Sequence, residues 1–204
     1  HLTATAVSDT ILFYPEFMVT RAQSFTMRPD TLNRFPVLKA QDVYIEWLTG
    51  PDEWYAENNP GKEFSVFGNG TTVNGTLILK PESLDGKGEV NMADARITSE
   101  TFSFGSATID ADTSDYYLKA LRGNGYGFVA NNANTHVSFT EQRSSFSLNT
   151  DSSFVVFPEL EYISKMTNFE YNMSTKVLDM SQRGREKTKL MTADQLLKVP
   201  PGMV

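Results

Sequence analysis

The sequence predicts an all-β chain: a parallel β-solenoid or an open jelly roll of short strands, with a less regular N-terminal region and one short C-terminal helix. Three observations carry this expectation. Alternating apolar and polar runs recur every 8 to 12 residues from about residue 75 to 180, the spacing of a sandwich, barrel or solenoid. Ser, Thr and Asn number 17, 21 and 13 of the 204 residues; Thr suits a pleated surface, while Ser and Asn suit turns. Two segments can also be laid on one another at a fixed offset, as stacked repeats require.

The strands follow in order. Residues 42–47 alternate, with Val43, Ile45 and Trp47 on one face. Residues 75–80 follow turn residues and precede Pro81. Residues 101–104, 107–112, 136–140 and 145–148 alternate in the same way. Residues 153–157 are apolar on both faces, which fits a central strand. Residues 169–171 and 176–180 flank a turn at Asn172-Met173-Ser174-Thr175. The helix is expected over residues 192–198, where Thr192 and Gln195 have capping-box spacing and Pro200 and Pro201 stop it.

Three regions differ in texture. Residues 1–68 hold both Trp and the loop signals Met27-Arg28-Pro29-Asp30 and Asn58-Asn59-Pro60-Gly61, and read as an irregular β region. Residues 69–180 read as a repetitive β domain, with the boundary in the Gly- and Asn-rich stretch from Gly68 to Gly75. Residues 181–204 read as a basic tail carrying the helix. The chain starts with His1 and ends after Pro200-Pro201, so the expected context is the rest of a longer chain.

The repeat joins Ile109–Tyr116 to Ser164–Tyr171 at an offset of 55 residues, with a similar strand at Val137–Phe139 midway. A unit of about 27 residues follows, each exposing an apolar face that a neighbour covers. Ala111-Asp112 with Tyr116, and Tyr171, Thr175 and Leu178, resemble the front and back halves of the repeat of OstA-like lipopolysaccharide-transport proteins, roughly Ala-Asp-x-Val-x-Tyr-Asp-x-x-Thr-x-x-Leu. Ser114 and Thr167 depart from it. The texture also resembles large, repetitive β-rich proteins of Bacteroidetes. The resemblance covers about 70 residues. It implies a Gram-negative envelope location (periplasm, outer membrane or cell surface) and an open, apolar β-groove or jelly roll; it does not imply lipid transport.

Composition removes several chemistries. The chain has no Cys, so disulfides, thiol catalysis and Cys-ligated metal are out. His136 is the one internal His, which removes multi-His metal sites. A net charge of −7 argues against nucleic acid. No apolar run approaches the 18 residues of a membrane helix. Asp110, Asp112 and Asp115 could offer oxygens to Ca²⁺, but the EF-hand pattern is not met, and a solvated strand edge that discourages edge-to-edge pairing accounts for them better. Glu159 with Glu161, and Asp52 with Glu53, are the carboxylate pairs a glycosidase would need at a separation sequence does not give. His136 has no identifiable Ser and Asp partners for a triad. Gly123-Asn124-Gly125-Tyr126-Gly127 lacks the Lys and Ser/Thr of a phosphate loop. The sequons at Asn69, Asn74 and Asn172 matter only in a eukaryotic secretory setting. No catalytic residue, metal or cofactor is expected.

Three functions remain. The first is a non-catalytic β-scaffold of a larger envelope protein that shelters an apolar or lipid ligand. It predicts one interior row of Phe102, Phe104, Ile109, Phe146, Leu148, Phe154, Phe157, Ile163 and Phe169, with Phe102, Phe104, Phe154 and Phe157 as ligand contacts. The second is a glycan-binding or adhesin module using Trp54 and Tyr55, because flat rings stack on the apolar face of a sugar; the plainer reading, with Trp47 in the core and Trp54 anchoring the loop, is favoured over it. The third is a carbohydrate-active enzyme, which needs two carboxylates facing each other across a cleft.

Overall fold

A computed structural model describes residues 3–28, 34–150, 153–164 and 166–182, and the backbone of 188–192. The elements are β1 (Thr3–Val7), β2 (Ile11–Phe13), β3 (Phe17–Arg28), β4 (Leu38–Leu48), β5 (Glu53–Asn58), β6 (Phe64–Val66), β7 (Thr71–Leu79) and β8 (Leu84–Asn91). They continue with β9 (Ala95–Phe104), β10 (Thr108–Lys119), β11 (Tyr126–Ser138), β12 (Arg143–Leu148), β13 (Val155–Phe157), a 3₁₀ turn at Pro158–Leu160, β14 (Tyr162–Ser164), β15 (Asn168–Asn172), β16 (Val177–Ser181) and β17 (Thr188–Thr192).

The chain is all-β, and the strands pair antiparallel rather than as a parallel solenoid. The connections explain this. Loops of four residues join β4 to β5, β11 to β12 and β15 to β16. A tight hairpin can join only antiparallel strands; a parallel pair needs a crossover of a dozen residues or more. Each of these loops ends on a left-handed residue, Asp52, Gln142 or Lys176, with φ of 56°, 54° and 59°. The expected C-terminal helix lies outside the described residues, except that Thr192 closes β17. Most of the expected basic tail lies outside them as well.

Two compact units form. One holds His1–Ala93 with Thr98–Ile109, the other Asp94–Ile97 with Asp110–Val204. The stretch from Gly68 to Gly75, expected as a turn or linker, begins as a turn and lies within the first unit rather than at its boundary. Gly68–Gly70 joins β6 to β7 inside the first unit, and Gly75 sits in β7 opposite Gly88 of β8. Their φ values are +148° and +122°, and a Cβ on Gly75 would stand 2.1 Å from the Lys87 carbonyl oxygen. Glycine is required there because the two backbones touch.

In the first unit β1 and β2 lie along β3, and β3 pairs with β4 in register from Phe17↔Leu48 to Met27↔Leu38. The β4 strand then meets β5 over one half and β6 over the other, and β7 pairs with both. The region expected to be irregular is therefore regular; its turn residues interrupt long strands rather than replace them. Phe25, Met27, Leu38, Ile45, Phe64, Leu77 and Leu84 are at most 1% exposed. Each such side chain contributes about 1.5–3 kcal/mol by leaving water.

The second unit repeats this plan. Its β11 meets β12 over one half and β13 over the other, as β4 meets β5 and β6. The β12 strand pairs with β15, and β13 with β14. In β4 the buried positions run Leu38, Ala40, then Val43, Ile45; in β11 they run Phe128, Ala130, then Ala133, Thr135. The alternation slips at Asp42 and at Asn132, both left-handed, with φ of 57° and 53°. In β3 the buried series is Thr20, Ala22, then Phe25, Met27; in β10 it is Ile109, Ala111, then Ser114, Tyr116. The chain thus repeats at a step of 89 to 90 positions in these strands, not 27 or 55. The segments matched at 55 are unlike: Ile109–Tyr116 lies within one strand, whereas 164–171 spans the end of β14, a break and most of β15. Similar side-chain patterns arise in any short strand, so sequence matching found a false period.

Candidate functional site

The second unit contains a cavity of about 300 Å³. It lies at the end where β10 leaves and β11 enters. Leu118, Ala120 and Leu121 line it from the end of β10 and the connector, and Phe128 from β11. Phe157 and Leu160 come from β13 and the 3₁₀ turn; Tyr171 and Leu178 come from β15 and β16. Gly127 and four charged residues, Lys119, Arg122, Glu159 and Lys176, complete the lining.

The lining rings Phe128 and Phe157 belong to an aromatic cluster behind the cavity. The Phe128 ring lies 5.3, 5.4 and 5.2 Å from the rings of Phe146, Phe157 and Phe169. Phe146 stacks on Phe169 at 5.1 Å and on Tyr116 at 4.5 Å. Strand alternation sends these side chains to one face, and the antiparallel register sets Phe146 directly opposite Phe169. Offset and edge-on contacts of this kind add about 0.5–1.5 kcal/mol each beyond burial.

One wall is polar. Lys176 donates to the Asp94 carboxylate, and the same carboxylate neighbours the Tyr171 hydroxyl. Burial pushes the Tyr171 phenol well above its ordinary value, and Asp94 adds to the shift by opposing a second negative charge. Tyr116 is raised mainly by burial as well. Its hydroxyl lies beside that of Ser144, and neither makes a hydrogen bond of standard geometry. The Lys176 backbone is fixed from both sides: its N–H donates to the Asn172 carbonyl, and the Asn172 side chain accepts from Ser174 and Thr175.

The residues singled out in the sequence are dispersed. Phe157 lines the cavity. Phe102 and Phe104 are buried in the first unit, with rings 5.8 Å apart. Phe154 is 39% exposed and Ile163 59%. The remaining members of the expected row are buried; Phe102, Phe104 and Ile109 belong to the first unit and the others to the second. Trp54 and Tyr55 are consecutive in β5 and so point to opposite faces. Trp54 packs on Trp47, its partner across the strands, with ring centroids 5.7 Å apart. Trp47 Nε1 donates to Asp52, and the Tyr55 hydroxyl to Glu53, each at 2.9 Å. They form no common platform for a sugar.

The acidic strand is taken up internally. His136 Nδ1 lies 2.6 Å from Asp110, and Asp115 accepts the Asn132 N–H at 2.9 Å. Among the described residues no group of three metal-ligating side chains is placed to hold an ion. Of the expected carboxylates, only Glu159 reaches the cavity.

Sequence reasoning missed Leu118, Ala120, Leu121, Tyr171 and Leu178 as lining residues. A signal was present: the connector 120–125 carries Leu121 among Gly and Asn, and in the structure Leu121 is 58% exposed. Fold and site together define a class, a duplicated antiparallel β protein whose second unit holds a largely apolar cavity. No protein-family model, curated protein or solved structure matches the chain. The resemblance to OstA-like repeats therefore rests on the residues quoted for it.

Proposed function

We propose that this chain is a non-catalytic β-scaffold whose second unit shelters the apolar chain of a small amphiphile. The single observation that carries this reading is the cavity of about 300 Å³, lined by Phe128 and Phe157. That size is at the lower end for small-molecule sites, and an apolar void of this kind gains contacts when an apolar group fills it. The resemblance to OstA-like repeats supports a bacterial envelope location and a place within a larger chain.

Titration with decanol and with decanoate, followed by calorimetry, tests the proposal. Saturable binding of one molecule per chain is expected. Ala120→Phe places a ring at the lining and should weaken binding at least about tenfold, roughly 1.4 kcal/mol, with unfolding by urea unchanged or later. Absence of saturable binding by the wild-type chain sinks the reading.

A further inference from the structure

The first unit has a recess of its own, where its edge strand is interrupted. Strands β1 and β2 run along β3 in one continuous register, Val7↔Ser24 and Ile11↔Thr20, broken over Ser8, Asp9 and Thr10. Side-chain bonds hold the break. The Ser8 hydroxyl lies 2.9 and 3.0 Å from the Thr10 and Arg21 carbonyl oxygens, and the Thr20 hydroxyl donates to the Thr10 carbonyl at 2.7 Å. An open pocket of about 330 Å³ forms there. Leu12, Val19 and Tyr44 give it apolar surface, and Asp9, Thr10 and Arg21 give it polar groups. Arg21 stands opposite Tyr44 and Leu12 opposite Val19 in the ladders. Tyr44 and Leu12 are 44% and 51% exposed.

The polar groups are held in pairs. Arg21 donates through Nε and Nη2 to Asp42 at 2.6 and 2.9 Å, and Gln23 Nε2 donates to the Asp9 carboxylate. A guanidinium has five N–H donors and a carboxylate about four acceptor positions, so these bonds leave donors and acceptors side by side. Charge narrows the ligand class. A carboxylate or phosphate would meet Asp9 and Asp42, and a cation would meet Arg21. A neutral vicinal diol suits both, because each hydroxyl donates and accepts. The apolar C–H face of a sugar ring suits the exposed face of Tyr44.

We propose that this pocket binds a neutral sugar, with Tyr44 as the stacking ring and Arg21 and Asp9 as the clamp on a vicinal diol. The site belongs to the first unit alone. At the positions that match Arg21 and Tyr44, steps of 89 and 90 residues on, the second unit has Asp110 and Asn134, which offer neither that cation nor that ring. The proposal is independent of the apolar-ligand reading of the second unit.

The test titrates the isotopically labelled chain with neutral hexasaccharides of glucose, mannose, galactose and xylose, and with hexagalacturonate as an acidic probe, following backbone amide shifts. At least one neutral sugar should move the amides of Ser8 to Leu12, Val19 to Arg21 and Tyr44 saturably, and leave the second unit unmoved. Tyr44→Ala and Arg21→Gln should each raise Kd at least about tenfold, and Tyr44→Phe, which keeps the ring, less than about threefold. The Arg21 side chain is 68% exposed and loss of an exposed ion pair costs little stability, so Arg21→Gln decides the matter even where Tyr44→Ala disturbs folding. The proposal is overturned if no neutral sugar binds, if hexagalacturonate binds more tightly, if the shifts lie away from the pocket, or if Arg21→Gln binds like the wild type.

Discussion

Asp42 and Asn132 hold the same left-handed backbone at the same place in the two units, with φ of 57° and 53°. Each is tied to an asparagine 17 residues further on. Asn59 Nδ2 donates to the Asp42 carbonyl at 2.8 Å, and Asn149 Nδ2 to the Asn132 side chain at 3.1 Å. At these points β4 and β11 each step two residues outward before the buried alternation resumes. Asp and Asn tolerate this backbone better than other residues with a Cβ, because their short polar side chains hydrogen-bond locally.

Asn132→Val should therefore destabilise by about 1–3 kcal/mol, since a β-branched residue resists the left-handed region. Asn132→Gly keeps the backbone and loses only the Asn149 bond, at about 1 kcal/mol or less. Urea unfolding should rank wild type above Gly above Val. Equal losses in the two variants would show that the side-chain bond matters and the backbone does not.

Gly75→Ala should cost more than about 2 kcal/mol, because the backbone conformation excludes a Cβ and the Lys87 carbonyl blocks it. Gly50→Ala should change stability by less than about 0.5 kcal/mol, because nothing lies within 4 Å of the added atom. Denaturant midpoints of the two variants measured side by side check this. A mild Gly75→Ala would mean that β7 and β8 separate at little cost.

Tyr116 and Tyr171 should stay protonated past pH 10, where ordinary phenols ionise. Burial is the main cause in both. The sign follows: a group whose proton is held more tightly in the folded state stabilises fully below the unfolded value of 10.0. That stability is lost as pH rises toward the folded value. Ultraviolet titration of the eight tyrosines should show Tyr116 and Tyr171 ionising only together with unfolding, while the exposed-side Tyr55, raised by its bond to Glu53, ionises late without unfolding. Tyr171→Phe should remove one of the two that require unfolding. Simultaneous ionisation of all eight near pH 10 in folded protein would contradict the burial of these rings.

Strands were legible wherever one face is buried. Val43, Ile45 and Trp47, and likewise Phe146 and Leu148, announced themselves by alternation. The long β3 strand did not. Its buried series slips from Ala22 to Phe25, and the slip breaks the period of two that sequence reading depends on. The Gly-rich stretch before Thr76 imitated a linker because glycine marks both turns and close backbone approaches. The cavity was largely illegible. Its lining gathers one to three residues from each of several separate segments, and only the register of the strands brings them to one end.

By itself the sequence determined the class of structure. Its Thr-rich alternation commits the chain to strands, and its missing Cys and single internal His remove thiol and multi-His chemistry. Strand direction, the true repeat and the cavity were decided only in three dimensions. Short hairpin loops force antiparallel pairing, and the left-handed Asp42 and Asn132 reveal the duplication that side-chain identity conceals. The cavity depends on which residues of separate strands are brought to one end, Phe128, Phe157 and Leu178 among them. That is a property of packing, because the same apolar residue stabilises either a filled core or the rim of an open one.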